Sequence, residues 1–157
     1  MVDLNILKSD GYQPAAFHFK VVFSATAGMT DTSFQEVSGI GSEVETEDVV
    51  EGGENRYVHR LPKGIKHPKL VLKRGIAKMS SPLVIWCRSV MEAGFIIPIV
   101  PMPILVFLLN ENGIPIRAWS FANAYPVNWE VDAFNSTKNE VAIEKIELSY
   151  NYSNRII

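Results

Sequence analysis

Cysteine is almost missing from this chain: Cys87 is the only one in 157 residues. An intrachain disulfide and a multi-cysteine zinc site are therefore excluded. Histidine is scarce as well, and His18, His59 and His67 stand apart with no ligand spacing between them. Neither sign of charge dominates. Fifteen Lys and Arg against seventeen Asp and Glu leave a net charge of −2, so no global field draws in nucleic acid or an anionic membrane. Met1 to Gly11 carries Asp3, Lys8 and Asp10 and no apolar run of signal-peptide length, so no secretory leader is expected. Without a leader, the glycosylation patterns at Asn135 and Asn151 are read as chance. The uncharged run Phe95 to Leu109, FIIPIVPMPILVFLL, falls short of the ~20 residues that cross a bilayer as a helix. Pro98, Pro101 and Pro103 would break such a helix. No membrane span is expected there. A buried strand entered through a proline-rich connection is. The sequence also lacks a phosphate-binding loop, a dinucleotide fingerprint, His-Glu-x-x-His and Gly-x-Ser-x-Gly. No enzyme activity, metal or cofactor is expected.

What the chain does have is alternation and a composition, 47% hydrophobic and 20% charged, that suits one packed domain over residues 1–157. Phe17, Phe19, Val21 and Phe23 share one face of a strand, with His18 and Lys20 opposite. Ser33 to Val50 is a longer extended stretch, bent at Gly39 and Gly41. Beyond the bend Glu43, Glu45 and Glu47 point one way, and Val44 and Thr46 the other. A connection from Glu51 to His67 follows, long enough to suggest a functional or disordered loop. In KLVLKRG, Lys69, Val71 and Lys73 oppose Leu70 and Leu72.

One helix is expected over about 82–93. Ser81 suits its cap, Pro82 its first position and Gly94 the position beyond its end. Leu83, Trp86, Cys87, Val90 and Met91 form its apolar stripe, which makes Cys87 a core residue; Arg88, Ser89 and Glu92 take the wet side. Strands of about Ile104 to Leu109 and from Ile116 onward flank Asn112-Gly113, read as a type I′ turn. Trp119, Phe121, Tyr125, Val127 and Trp129 keep odd parity, with a break at Pro126. In VAIEKIELSYNY the parity slips at Glu144-Lys145, which suggests a bulge. The expected class is mainly β, an antiparallel sandwich or open barrel with one α-helix.

The order of charges carries more information than their sum. Glu43 to Glu54 holds six acidic residues and no basic one; Arg56 to Lys78 holds eight basic residues and no acidic one. A hairpin pairing Glu against Lys across its ladder explains this. So does a subunit with oppositely charged surfaces that associates head to tail. A basic groove for nucleic acid is a third reading, weakened because only Tyr57 interleaves aromatic character with the charges. An exposed-aromatic account is also open: a monomeric β-sandwich module stacking a ligand on Trp119, Tyr125 or Trp129, residues that equally suit a core.

Between about Tyr12 and Tyr152 the sequence resembles the inner-tube proteins of contractile phage tails and related contractile injection systems. The resemblance rests on the order of Phe17-x-Phe19-x-Val21, FQEVSGI, EGGEN, Leu61-Pro62, LVLKRG, the helical Trp86, LLNENGIP, WSFANAYPVNW and VAIEKIELSY. It implies a structural protein. Six copies would form a ring, rings would stack into a hollow tube, and strands of neighbouring copies would join into one barrel around the lumen. It further implies a surrounding sheath, baseplate and tube-end partners, a cargo in the lumen, and assembly in the bacterial cytoplasm into a virion tail or injection particle. No sequence-specific binding of nucleic acid is implied. The Glu51–His67 segment would reach the adjacent ring, with Glu51, Glu54, Arg56, Tyr57, Arg60, Lys63 and Lys66 as contact residues. Glu43, Glu45, Glu47, Lys69 and Lys73 are candidates for the lumen face, and the helix would lie on the outer side. The Phe95–Leu109 run departs from the more polar pattern of such proteins. That departure leaves open a specialised tube-end relative beside the bulk tube subunit.

Overall fold

The computed structural model describes residues 18–23, 30–76, 80–132, 137 and 142–157. Tyr12, Phe17, Asn135 and Val141 lie outside them. Ten strands and one helix are described: β1 His18–Phe23, β2 Thr30–Phe34, β3 Glu36–Ser38, β4 Glu43–Val49, β5 His59–Lys66, β6 Leu70–Gly75, α1 Pro82–Glu92, β7 Met102–Leu109, β8 Pro115–Val131, β9 Ile143–Ser149 and β10 Tyr152–Arg155. Every pairing between them is antiparallel.

The main sheet runs β2-β1-β7-β8-β9-β6-β3, with β10 added alongside β8. Its two ends are one piece of chain. β2 pairs with β1, β3 pairs with β6, and Gln35 between them donates its N–H to the Lys73 carbonyl at 2.9 Å. The strands therefore close into a barrel. Closure hides edges that would otherwise need cover.

The core follows the alternation. Val21 and Phe23 of β1, Leu70 and Leu72 of β6, Ile104 and Val106 of β7, and Ile146 and Leu148 of β9 are buried. Helix α1 adds Leu83, Trp86 and Cys87, and Trp86 meets Phe23 edge to face at 5.5 Å. The buried stripe of α1 includes Val84 and not Met91, which is exposed. Gly94 does follow the helix in a left-handed conformation (φ 56°). Ser81 occupies the N-cap position without capping with its side chain, and its hydroxyl accepts a hydrogen bond from Arg74 at 2.8 Å.

Three local expectations are corrected. First, the turn at Asn112-Gly113 is not type I′, since only Gly113 has positive φ. Gly113 donates to the Asn110 carbonyl and Asn110 to the Ile114 carbonyl, both at 2.9 Å. That is a three-residue loop, a type I turn ending on a left-handed glycine. The Asn110 side chain holds it by accepting from the N–H groups of Asn112 and Ile114. Second, β8 does not keep odd parity. Ala118, Phe121, Ala124 and Pro126 are buried while Val127 is exposed. Asn123 takes positive φ and the register with β9 steps between Pro126 and Asn128, so the strand changes face as it passes from β7 to β9. Third, β9 has no bulge at Glu144-Lys145. Its register with β6 is unbroken from Leu148 to Ile143, and Glu144 faces the core.

Glu144 can do so because every demand of its carboxylate is met. Arg74, also buried, donates to it through Nε at 3.0 Å, and Trp129 donates through Nε1 at 2.7 Å. The Arg74 guanidinium also lies 4.7 Å from the centre of the Phe34 ring. The network ties β6, β9, β8 and β2 to the start of α1.

Candidate functional site: a projecting strand arm

Residues 51–67 are not one long connection. β4 and β5 pair as a separate two-stranded sheet, and only residues 50–58 link them. This arm is a continuation of the barrel. Glu36 of β3 pairs with Lys73 of β6, and Glu43 of β4 pairs with Lys66 of β5. Seven residues forward on one strand match seven back on the other, so one ladder passes from barrel to arm with a gap in pairing at the junction.

The junction has its own anchors. Gly39 takes φ 83°, and a side chain there would collide with the Lys69 carbonyl, so the position requires glycine. The hydroxyl of Tyr150 donates to the Gly39 carbonyl at 2.9 Å and lies 3.3 Å from that of Gly41. His67 Nδ1 lies 3.2 Å from the same Gly41 carbonyl, with its ring 5.3 Å from that of Tyr150. Burial raises the Tyr150 pKa above its ordinary value, opposed in part by the hydrogen bond to Gly41.

Beyond the junction every residue of β4 is exposed, as is every residue of β5 after His59. The register assigns the two faces. Glu43, Glu45, Glu47 and Val49 stand on one, opposite Lys66, Gly64, Leu61 and His59. Val44, Thr46 and Asp48 stand on the other, opposite Ile65, Pro62 and Arg60. The ladder steps between Glu45 and Thr46, where Lys63 is the extra residue.

The charges pair across the arm, as the hairpin reading of their order expects. Lys66 lies 3.5 Å from Glu45, Arg60 3.6 Å from Asp48 and His59 3.7 Å from Glu51. At the tip Glu54 donates its N–H to the Glu51 carbonyl, closing a turn that needs the positive φ of Gly53. Arg56 pairs with Glu54 at 3.2 Å, and Tyr57 meets His59 edge to face at 5.0 Å. Exposed pairs of this kind each contribute ~0–1 kcal/mol, so they set register more than stability.

The arm thus brings together Glu51, Glu54, Arg56, Tyr57, Arg60, Lys63 and Lys66, with Glu43, Glu45 and Glu47 on its carboxylate face. Lys69 and Lys73 are elsewhere. They lie on the barrel's outer surface, where Lys69 pairs with Glu147 at 3.7 Å and Lys73 with Glu36 at 3.1 Å. Lys145 continues that charged surface, bridging Glu130 at 2.9 Å and Glu147 at 3.0 Å. Both carboxylates push its pKa far up, the hydrogen bond to Glu130 most. Sequence reasoning did not single out Tyr150 or His67 as junction anchors. Their partners lie 109 and 26 residues away in the chain, and no local pattern signals either contact.

Trp119, Tyr125 and Trp129 are partly buried and pack against the core. Among the described residues, no group of three or more His, Cys, Asp or Glu side chains could hold a metal. No described helix is long and apolar enough to cross a membrane.

Residues 15–154 match the family model for T4-like virus tail tube protein gp19. The chain belongs to this family. No curated protein matches it. Among solved structures, a chain of the anti-feeding prophage baseplate is 26% identical, with 93% of this chain and 97% of that one covered and a TM-score of 0.71. A chain of the sheath–tube complex of an extracellular contractile injection system, in its extended state, is 19% identical over 99% and 98%, with a TM-score of 0.74. Hcp1 from Salmonella typhimurium shares the fold at 12% identity, 90% and 86% coverage and a TM-score of 0.54. This tail tube protein is therefore a structural tube subunit, and the ligand-binding sandwich is not the favoured account of its aromatics.

Proposed function

We propose that six copies of this tail tube protein form a ring, that rings stack into a hollow tube, and that the β4–β5 arm makes the contacts between copies. The observation that carries this reading is the arm itself. A two-stranded sheet exposed on both faces is marginal alone in water, and among the described residues no further strand pairs with either of its outer edges, which leaves them open to another chain. A neighbouring copy supplies the missing cover. A baseplate chain at 26% identity and a sheath–tube chain of the same fold are consistent with a tube that a sheath surrounds and a baseplate joins. The carboxylate face of the arm and the paired charges of Lys69 and Lys73 suit a lumen that lets cargo pass without adhesion. The tube works as a conduit and carries out no catalysis. Its place is in a phage tail or an injection particle assembled in the bacterial cytoplasm.

Electron microscopy with native mass determination on the purified protein tests the proposal. Six-membered rings, alone or stacked into tubes, are the expected result. A monomer that persists at every concentration refutes it.

A further inference from the structure

Asn112 is the one asparagine of this chain that a glycine follows. In such a pair the backbone nitrogen after the asparagine can attack the side-chain amide and close a five-membered imide. Glycine hinders that attack least, because it places no side chain beside its own nitrogen. The surroundings leave room for the ring. Glu111, Asn112 and Gly113 are exposed. Among the described residues nothing lies within 4 Å of the place a Gly113 Cβ would occupy. A ring forming there meets no wall, and water reaches it.

The loop between β7 and β8 also carries a restraint, and all of it converges on Asn110. Gly113 donates its N–H to the Asn110 carbonyl, and Asn110 donates its own to the Ile114 carbonyl, both at 2.9 Å. The Asn110 side-chain oxygen accepts from the N–H groups of Asn112 and Ile114, again at 2.9 Å. Cyclisation needs the Gly113 N–H to lose its proton and its nitrogen to swing onto the Asn112 side chain. Both movements break the hydrogen bond to Asn110. The closed loop therefore holds the attacking atom away from its target, and reaction has to await a local opening.

We infer that Asn112 is a site of spontaneous deamidation and that Asn110 is the clamp that sets its rate. The only co-reactant is water. In the opened loop the Gly113 nitrogen bonds to the Asn112 amide carbon. The side-chain nitrogen leaves as ammonia, carrying the proton that the Gly113 nitrogen gave up. Water then adds to one imide carbonyl and breaks its bond to the ring nitrogen, which regains a proton. Opening at the side-chain carbonyl leaves aspartate. Opening at the main-chain carbonyl leaves isoaspartate, whose backbone runs through the former side chain. Nothing is oxidised or reduced. Either product sets a second carboxylate beside Glu111, and isoaspartate adds a methylene to the chain. Leu109 and Pro115 pair across the base of this loop, so a lengthened backbone works against its closure. The change accumulates with the age of the subunit and does not depend on the tube reading.

The test incubates the full-length parent, Asn110→Ala and Asn110→Asp at neutral pH. Peptides cut at mildly acidic pH are then followed by mass spectrometry for a gain of about 1 Da at Asn112. Methylation by an isoaspartyl methyltransferase reads the isoaspartate, which direct hydrolysis of the side chain would not produce. Asn110→Ala loses the acceptor of two N–H groups and is expected to convert roughly tenfold faster than the parent. Asn110→Asp still offers an oxygen to both and is expected to stay within about twofold of it. Circular dichroism checks that the variants keep the fold. The parent unfolded in urea serves as a second unclamped reference and is expected to convert at least as fast as N110A. An Asn112 that stays intact in the unclamped proteins overturns the inference. So does conversion without isoaspartate, a parent as fast as the urea-unfolded chain, or an N110D protein as fast as N110A.

Discussion

The barrel and the arm share one β ladder, yet they treat their side chains in opposite ways. Up to Ser38 and from Leu70 onward, one side of the ladder buries Leu70 and Leu72 in the core and packs the half-buried Val37 against it. Seven residues along, the same register holds Val44 and Ile65 in water. The barrel can bury even a charged pair, Arg74 and Glu144, because four strands and a helix surround it. The arm buries nothing, and its ion pairs are wet. The difference separates two sources of order. Barrel contacts hold one subunit together, whereas the arm, exposed on both faces, is the part that the proposed assembly would cover.

The largest effect that breaks this contrast is on the barrel side. Glu144→Ala removes the buried carboxylate that accepts from Arg74 and Trp129, and is expected to cost about 3–5 kcal/mol in urea unfolding. Val44→Asp, at the matching place on the arm, should shift the same midpoint by less than ~0.5 kcal/mol. An equal loss from both would erase the distinction. The junction comes next. Gly39→Ala forces a side chain toward the Lys69 carbonyl in a left-handed conformation and is expected to cost about 1–3 kcal/mol.

How the sequence failed at these places is instructive. β1, β6 and the buried face of α1 were legible because their alternation is apolar against polar. Glu144 was read as a slip in parity because a carboxylate stood where an apolar residue was due; its partners Arg74 and Trp129 come from other strands, beyond any local window. β5 was read as loop because Pro62 and Gly64 interrupt it and every side chain after His59 is wet. It is a strand only because Glu43 to Val49 runs beside it. Proline is tolerated there because the strand is an edge with a register step. The charge order did announce the pairing of the arm. Nothing in it separated Lys69 and Lys73 from the arm carboxylates, since their partners Glu147 and Glu36 lie on other strands of the barrel.

A smaller effect sharpens the role of the junction. Tyr150→Phe removes the hydrogen bond to the Gly39 carbonyl, and is expected to cost about 1 kcal/mol and to speed amide exchange in the arm before the barrel. Titration should give the same order. Burial raises the Tyr150 pKa, so its contribution is present below the ordinary tyrosine pKa of 10.0 and is lost as pH climbs above it. The arm should loosen on the alkaline side, and the Y150F variant should lack that step. The smallest effect on the subunit is at the tip. Arg56→Glu with Arg60→Glu should change subunit stability by less than ~0.5 kcal/mol, yet shorten tubes and make them sensitive to salt. Unchanged tube length and salt resistance would remove these arginines from the contact.

The most direct test of the account is hydrogen exchange on the parent protein, dispersed as subunits and assembled. The account predicts that amides of the barrel strands are protected in both states, while those of Glu43–Lys66 exchange quickly in the free subunit and become protected on assembly. An arm protected equally in the two states, or one that stays open in the assembled tube, would contradict it.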